Sequence, residues 1–212
     1  MRAARLVGWV SRFAPGRGPT LEAIRRRFVA LDLETTGLDP RLDAVVSLAV
    51  IPFVEGERSE GLVTLVDPGR PIPAESVAIH GLTSEIVRGA PTIDRVLPDV
   101  ETALAGDVVV GHGVGFDLAF LARERRARRM PPLSNPALDT QRLAAGLHPR
   151  WRDFSLEHVA ARLGVRVVAR HTAEGDALTA ARILLALAPE LAAHGLRTLS
   201  DLRWLQRQAP LA

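Results

Sequence analysis

Two acids, Asp32 and Glu34, stand two positions apart at the far end of an apolar, branched run in FVALDLETTGLDP, residues 28–40. Alternate side chains on a β-strand leave on the same face, so both carboxylates point the same way. Burying a carboxylate is costly unless a cation pairs with it. Two hard oxygen donors aimed together are what a divalent metal requires. Taken alone, Asp-x-Glu also fits two acids opening into solvent beyond the strand.

Two further stretches repeat the chemistry. VVVGHGVGFDLAFL, 108–121, is a buried strand, a glycine-broken turn and then Asp117 opening a helix. An acid in a first helical turn ordinarily serves the helix dipole, but this one falls at the sheet edge that Asp32 and Glu34 reach. RHTAEGDALTAARILLAL, 170–187, carries His171 five residues before Asp176. Five residues do not share one helical face, so His171 is expected just ahead of the helix, leaning over the site. An isolated histidine there would read as a surface or capping residue.

The elements that must position these groups follow from periodicity. Strands are expected at 28–34, 44–53, 61–66 and 107–112, with TGLDPRLD and EGERSE as loops between the first three. Thr92 is placed to cap a helix running to Leu104, its apolar residues at Ile93, Val96, Leu97, Val100 and Leu104. Further helices are expected at 115–129, 139–146, 155–163, 173–187 and 198–207. Three strands in a meander, then strands alternating with helices, make a mixed α/β sheet flanked by helices.

The chain has 212 residues, 47% of them apolar and 24% charged, a globular balance suited to one domain. No apolar run approaches the roughly 20 residues that span a bilayer. There is no cysteine, which excludes disulfides, thiolate metal sites and a cysteine nucleophile and fits a reducing, cytoplasmic interior. There is no lysine either, so every basic side chain is arginine or histidine; the formal charge is only +3. Arginine runs at 25–27 and in RERRARR, 123–129, read as solvated faces or, beside a carboxylate site, as holds for the phosphates of a polyanion. Residues 1–27 contain no acid before Glu22 and include the turn-prone APGRGP. They are expected to form a loosely attached arm with a short helix around Leu21–Arg27, ahead of a main domain at 28–190 and a helical extension at 191–212.

The ordered blocks DLETTGL, IHGLT, GHGVGFDLAFL, ALDT, SLEHVAARLGV and HTAEGD resemble the DnaQ-like, or DEDDh, 3′–5′ exonucleases of the ribonuclease H-like superfamily. The tyrosine subclass of that superfamily has Tyr four residues before the last Asp; that position here is Thr172, and the chain has no tyrosine. His171 therefore points to the histidine subclass.

The resemblance implies two divalent cations, Mg²⁺ or Mn²⁺, held by Asp32, Glu34, Asp117 and Asp176, with His171 as general base. It implies hydrolysis of the terminal phosphodiester of single-stranded or frayed DNA ends, releasing nucleoside 5′-monophosphates. Substrate contacts are implied for the backbone around Thr35, Thr36 and Gly37, for Leu38 and His80 against the terminal nucleotide, and for Phe116 against a base. Core packing is the plainer reading of Leu38 and Phe116, and capping of a short helix that of His80. One departure stands out: Gly113 follows His112 where the family usually has Asn, which puts the rigidity of that loop in question.

Two alternatives stay open at this point. One is an exoribonuclease or oligoribonucleotide-degrading enzyme on the same fold; the other is a nucleic-acid binding module with an inactive site. A DNA polymerase or repair partner also fits the resemblance. The expectation from the short C-terminal stretch LRWLQRQAPLA is a stand-alone or accessory nuclease.

Overall fold

A computed structural model describes residues 18–209. Its strands are β1 (Arg27–Thr35), β2 (Val45–Val54), β3 (Glu57–Arg58), β4 (Leu62–Leu65), β5 (Val109–Gly111) and β6 (Ala137–Asp139). Its helices are α1 (Leu21–Arg26), α2 (Ala74–His80), α3 (Ser84–Val87), α4 (Ile93–Leu104), α5 (Gly115–Ala127), α6 (Thr140–Leu147), α7 (Leu156–Arg162), α8 (Ala173–Ala193) and α9 (Leu199–Gln208).

The six strands form one sheet in the order β3-β2-β1-β5-β6, with β4 also on β2. β1 pairs antiparallel with β2 and parallel with β5, and β5 pairs parallel with β6, so the sheet is mixed, as expected. β1 is thus central, and the period of two divides its side chains between two cores. Phe28 and Ala30 pack with β2 residues Ala49 and Ile51 beneath α8, including Ala177, Ala180 and Leu184. Val29, Leu31 and Leu33 pack on the other face against α4 and α5, including Leu97, Val100 and Phe120. By the same alternation Asp32 and Glu34 belong to the α8 face.

Several expectations shift in detail. The sequence reading ends α8 at Leu187, two residues before Pro189, which has no N–H to give a helix. The helix runs through Pro189 to Ala193, and burial of Leu191 under the sheet outweighs the one lost bond. Thr92 is the N-cap of α4, but its hydroxyl bonds the Asp94 carboxylate at 3.2 Å rather than a helical N–H. β6 went unread because its three residues are too few to show a period.

Residues 1–17 of the expected arm lie outside the described residues. The segment that follows is docked rather than loose: Leu21 and Ile24 are buried in the core shared with α8. Thr20 bridges Thr198, and Leu199 N–H donates to Pro19 O at 2.9 Å. α9 joins the same core through Leu199, Leu202 and Leu205. The segment before α1 and the start of α9 therefore close on one another.

The arginine runs are mostly intramolecular. Arg25 and Arg26 reach Glu22, and Arg27 bonds Asp107. Within RERRARR, Arg125 is 2% exposed and donates to Pro131 O at 2.7 Å, while Arg128 pairs with Glu124 and Asp94. Arg123 donates to Pro40 O at 2.8 Å and to Asp43 O, bracing the loop that leaves β1.

Candidate active site

β1 ends in a bulge. Its register with β2 is regular up to Glu34 opposite Ser47, and then Thr35 falls opposite Val45. Such a bulge bends a strand and re-aims the side chains beside it. Asp32 and Glu34 precede it, and Asp176 comes from the first turn of α8 on the same side. Ligand oxygens of these three acids lie within 4.8 Å of one another.

Asp117 arrives round the end of the sheet from the opposite layer. It is 4% exposed, and its Oδ1 accepts the Leu33 N–H at 3.0 Å, which fixes it beside the two strand acids. Among the charged neighbours that push Asp32 upward, Asp117 comes first. It stands just outside the group of three.

His171 directly precedes Thr172, the N-cap of α8, and takes a left-handed φ of 61°. That conformation is uncommon for a side-chain-bearing residue and is held by its surroundings. The Thr172 hydroxyl accepts the Gly175 N–H at 3.1 Å, and the carbonyls of Val168 and Ala169 lie directly over Gly175. His171 lies near enough to both Asp176 and His80 to act on each electrostatically.

Burial and mutual repulsion raise the proton affinity of the acids. Asp32 is pushed well above the carboxylate range by desolvation, then by Asp117, Asp176 and Glu34, with Arg170 opposing. Asp117 is also pushed well up, by desolvation. Desolvation raises Asp176 against the pull of Arg170. Glu34 moves from 4.5 to about 7, through desolvation and then Asp176.

A raised acid binds its proton more tightly folded than unfolded, so its contribution to stability is present at low pH and is lost as pH rises from 4.5 through about 7. Without metal, Glu34→Gln should therefore gain stability relative to the parent between about pH 5 and about pH 8. Thermal melts in chelator across that range check this; a parent-to-variant difference that does not change with pH contradicts it.

Asp176 supplies the test of whether a metal fits. Its Oδ2 accepts from Arg170, but its Oδ1 is buried without any hydrogen-bond partner. A buried orphan carboxylate oxygen costs free energy unless a cation or donor reaches it. Facing two further acids, with hard oxygen donors throughout, it fits a divalent cation.

The loop after β1 is built for close approach. A Cβ on Gly37 would lie 2.5 Å from the Asp43 carboxylate, which accepts from Asp39 N–H at 2.9 Å and the Thr36 hydroxyl at 3.2 Å. The Thr35 hydroxyl donates to Gly37 O at 2.7 Å, so both threonine side chains shape the loop. Leu38, at its tip, is 83% exposed; core packing does not explain it. His80 Nδ1 accepts the Leu82 N–H at 3.0 Å, so Nε2 carries the proton and donates to Thr35 O at 3.3 Å. Gly81, not His80, is the C-cap of α2; the His80 ring instead ties the turn after its helix to the site loop. Phe116 is half-buried and packs on Phe120, with ring centroids 4.9 Å apart.

Three supporting residues escaped the sequence reading. Arg170 bonds Asp176 and Glu157. Gly175 lets the His171 segment lie flat on α8. Asp139 accepts the N–H of Gly113 at 3.0 Å and that of Gln141 at 3.0 Å, while Gly113 takes φ 75°. The loop rigidity left in question by Gly113 thus comes from a neighbouring strand end, and glycine meets the backbone requirement. The block ALDT was the available signal.

At the end of its central strand the mixed sheet gathers Asp32, Glu34 and Asp176, with Asp117 and His171 beside them. The exonuclease family profile named for RNase T matches residues 29–184, and the chain belongs to that family. It is 43% identical over 176 residues to a DNA polymerase III subunit epsilon-like protein of Rhodobacter capsulatus, covering 81% of this chain and 25% of that one. It is 34% identical to the DNA polymerase III subunit epsilon of Aquifex aeolicus, covering 77% of this chain and 81% of that one. A PolC-type DNA polymerase III of Clostridium perfringens matches at 31% identity over 85% of this chain and 13% of its own. The chain thus spans a quarter or less of two of these relatives. Among solved structures, exonuclease X in complex with 5′-overhanging duplex DNA superposes with a TM-score of 0.63 at 25% identity, over 85% of this chain and 98% of that one. An E. coli exonuclease I complex with single-stranded DNA, at TM-score 0.69 and 19% identity over 81% of this chain and 42% of that one, shares the fold. Among the described residues no helix is long and apolar enough to cross a membrane.

Proposed function

We propose that this chain is a metal-dependent 3′–5′ exonuclease that trims DNA ends to nucleoside 5′-monophosphates. The carrying observation is the buried, partnerless Asp176 Oδ1 beside Asp32 and Glu34. In this reading Asp32, Glu34, Asp176 and Asp117 hold two Mg²⁺ or Mn²⁺ ions. When bound, such ions lower the pKa of water and stabilise charge on the phosphate and the leaving oxygen. His171 takes the proton of the attacking water, held in place by its strained backbone. The loop from Thr35 to Leu38 receives the terminal nucleotide, with His80 bracing it from behind, and exposed Leu38 offers an apolar face to sugar or base. Phe116, half-buried, is the side chain offered to a base.

DNA is favoured over RNA by the named relatives and by the DNA complexes of exonucleases X and I. A polymerase partner follows from the epsilon relatives on the same footing. Digestion of matched 5′- and 3′-labelled strands, DNA and RNA, with Mn²⁺ or chelator tests the reading. Mononucleotide release from the 3′ end of DNA, abolished by chelator, is expected; release from the 5′ end or a strong RNA preference overturns it.

His171→Asn should cut turnover by about 10²–10⁴-fold, the usual worth of a general base. Asparagine tolerates the left-handed backbone, so Mn²⁺ binding should survive. Unchanged turnover in single-turnover kinetics excludes the base role.

A further inference from the structure

Among the described residues, Arg170 is the one arginine in an ion pair with the acid triad. It sits beside His171 in the segment lying over Gly175. Its Nη1 donates to Asp176 Oδ2 and its Nε to Glu157 Oε1 at 2.5 Å. Its positive charge also acts on Asp32 and Glu34.

The two acids that hold it are not equivalent. Asp176 is buried and belongs to the triad; Glu157, on α7, has a 43% exposed side chain and stands outside it. A guanidinium and a divalent ion on one carboxylate repel each other strongly in a poorly solvated pocket. The backbone cannot move aside easily. Thr172 N–H and hydroxyl both bond Ala169 O, at 3.2 and 2.7 Å, and the Val168 and Ala169 carbonyls press on Gly175. The long arginine side chain is the part free to rotate.

We propose that Arg170 is a built-in counter-cation: it neutralises the acid triad until a divalent ion arrives, then releases Asp176 and remains on Glu157. The idea rests on the metal-dependent reading above and adds an exchange to it. Arg170 lowers the metal affinity by competing for Asp176. Glu157 raises it, by giving the displaced guanidinium somewhere to stay. A simple structural clamp predicts something different, with loss of either partner harming the site in the same direction.

The test is Mn²⁺ binding by calorimetry on the full chain, together with thermal melts in chelator. Arg170→Gln should lower the chelator melting temperature, because the repelling acids lose their cation. It should also tighten Mn²⁺ by about tenfold, the scale of one charge-assisted hydrogen bond. Glu157→Gln should weaken Mn²⁺ several-fold, and the double variant should follow Arg170→Gln. If both single variants weaken Mn²⁺, or neither changes it, the exchange is overturned. Should Arg170→Gln not fold, Glu157→Gln decides alone: unchanged or tighter Mn²⁺ sinks the proposal. Asp32→Asn separates the two levels. If the parent binds Mn²⁺ at a site that Asp32→Asn abolishes, only the exchange is at stake; if the parent takes no Mn²⁺ there, the metal-dependent reading falls and the exchange with it.

Discussion

Asp32→Asn should abolish turnover and, without metal, make the protein more stable. The substitution keeps shape and removes one charge from a crowded site. Asp32 is pushed upward by burial and by three acids, Asp117, Asp176 and Glu34, so its ionised form is the costly one. The gain should therefore grow with pH, as the parent is forced to ionise a carboxyl that the variant lacks. With Mn²⁺ the order should reverse. A ligand that binds only the folded state stabilises the parent by mass action, and the variant has lost a central donor. Turnover should fall by about 10³-fold or more, or about 4 kcal/mol of transition-state stabilisation. Melting curves with chelator and with Mn²⁺, for both proteins, check the crossing. A variant less stable than the parent in chelator at high pH means that Asp32 has a structural partner instead.

How far the sequence could reveal this site depends on the distance over which each signal acts. Asp32 and Glu34 were legible because strand alternation is a local rule, and Phe28 and Ala30 on the same face confirm it. Asp117 and His171 were legible from glycine-broken turns and helix starts, which are also local. Arg170 was not. It reads as one more arginine beside a histidine, and its role appears only when α7 brings Glu157 against the start of α8. Arg125 misled in the opposite direction. A run of charges reads as a solvated face, yet α5 turns that side chain inward, where Pro131 O satisfies it. The docking of Leu21 and Ile24 was hidden because six residues show too little period to distinguish a core helix from a surface turn. Asp139 braces the loop where the chain departs from the family pattern: an acid from a short neighbouring strand accepts the backbone N–H of Gly113.

Gly175→Ala is expected to damage both stability and turnover, although it adds a single methyl. In a helix, glycine to alanine ordinarily gains about 1 kcal/mol. Here the new methyl would lie 2.2 Å from Ala169 O and 2.3 Å from Val168 O, and backbone cannot turn away as a side chain can. The segment 168–171 must lift, taking Arg170 off Asp176 and His171 off the site. Overpacking of this kind costs about 1–3 kcal/mol, and a shift of about 1 Å at a reacting group costs about 10²-fold in rate. Gly146→Ala is the matched control. Its methyl would meet Leu205 at 2.6 Å, a side chain on α9 in the core beneath the sheet rather than over the acids. Both variants should lose stability, but only Gly175→Ala should lose turnover per folded molecule. Comparing kcat at a temperature where both remain folded, with the folded fraction read from circular dichroism, separates them. Full turnover in Gly175→Ala would mean that the His171 segment does not need the glycine contact to do its work.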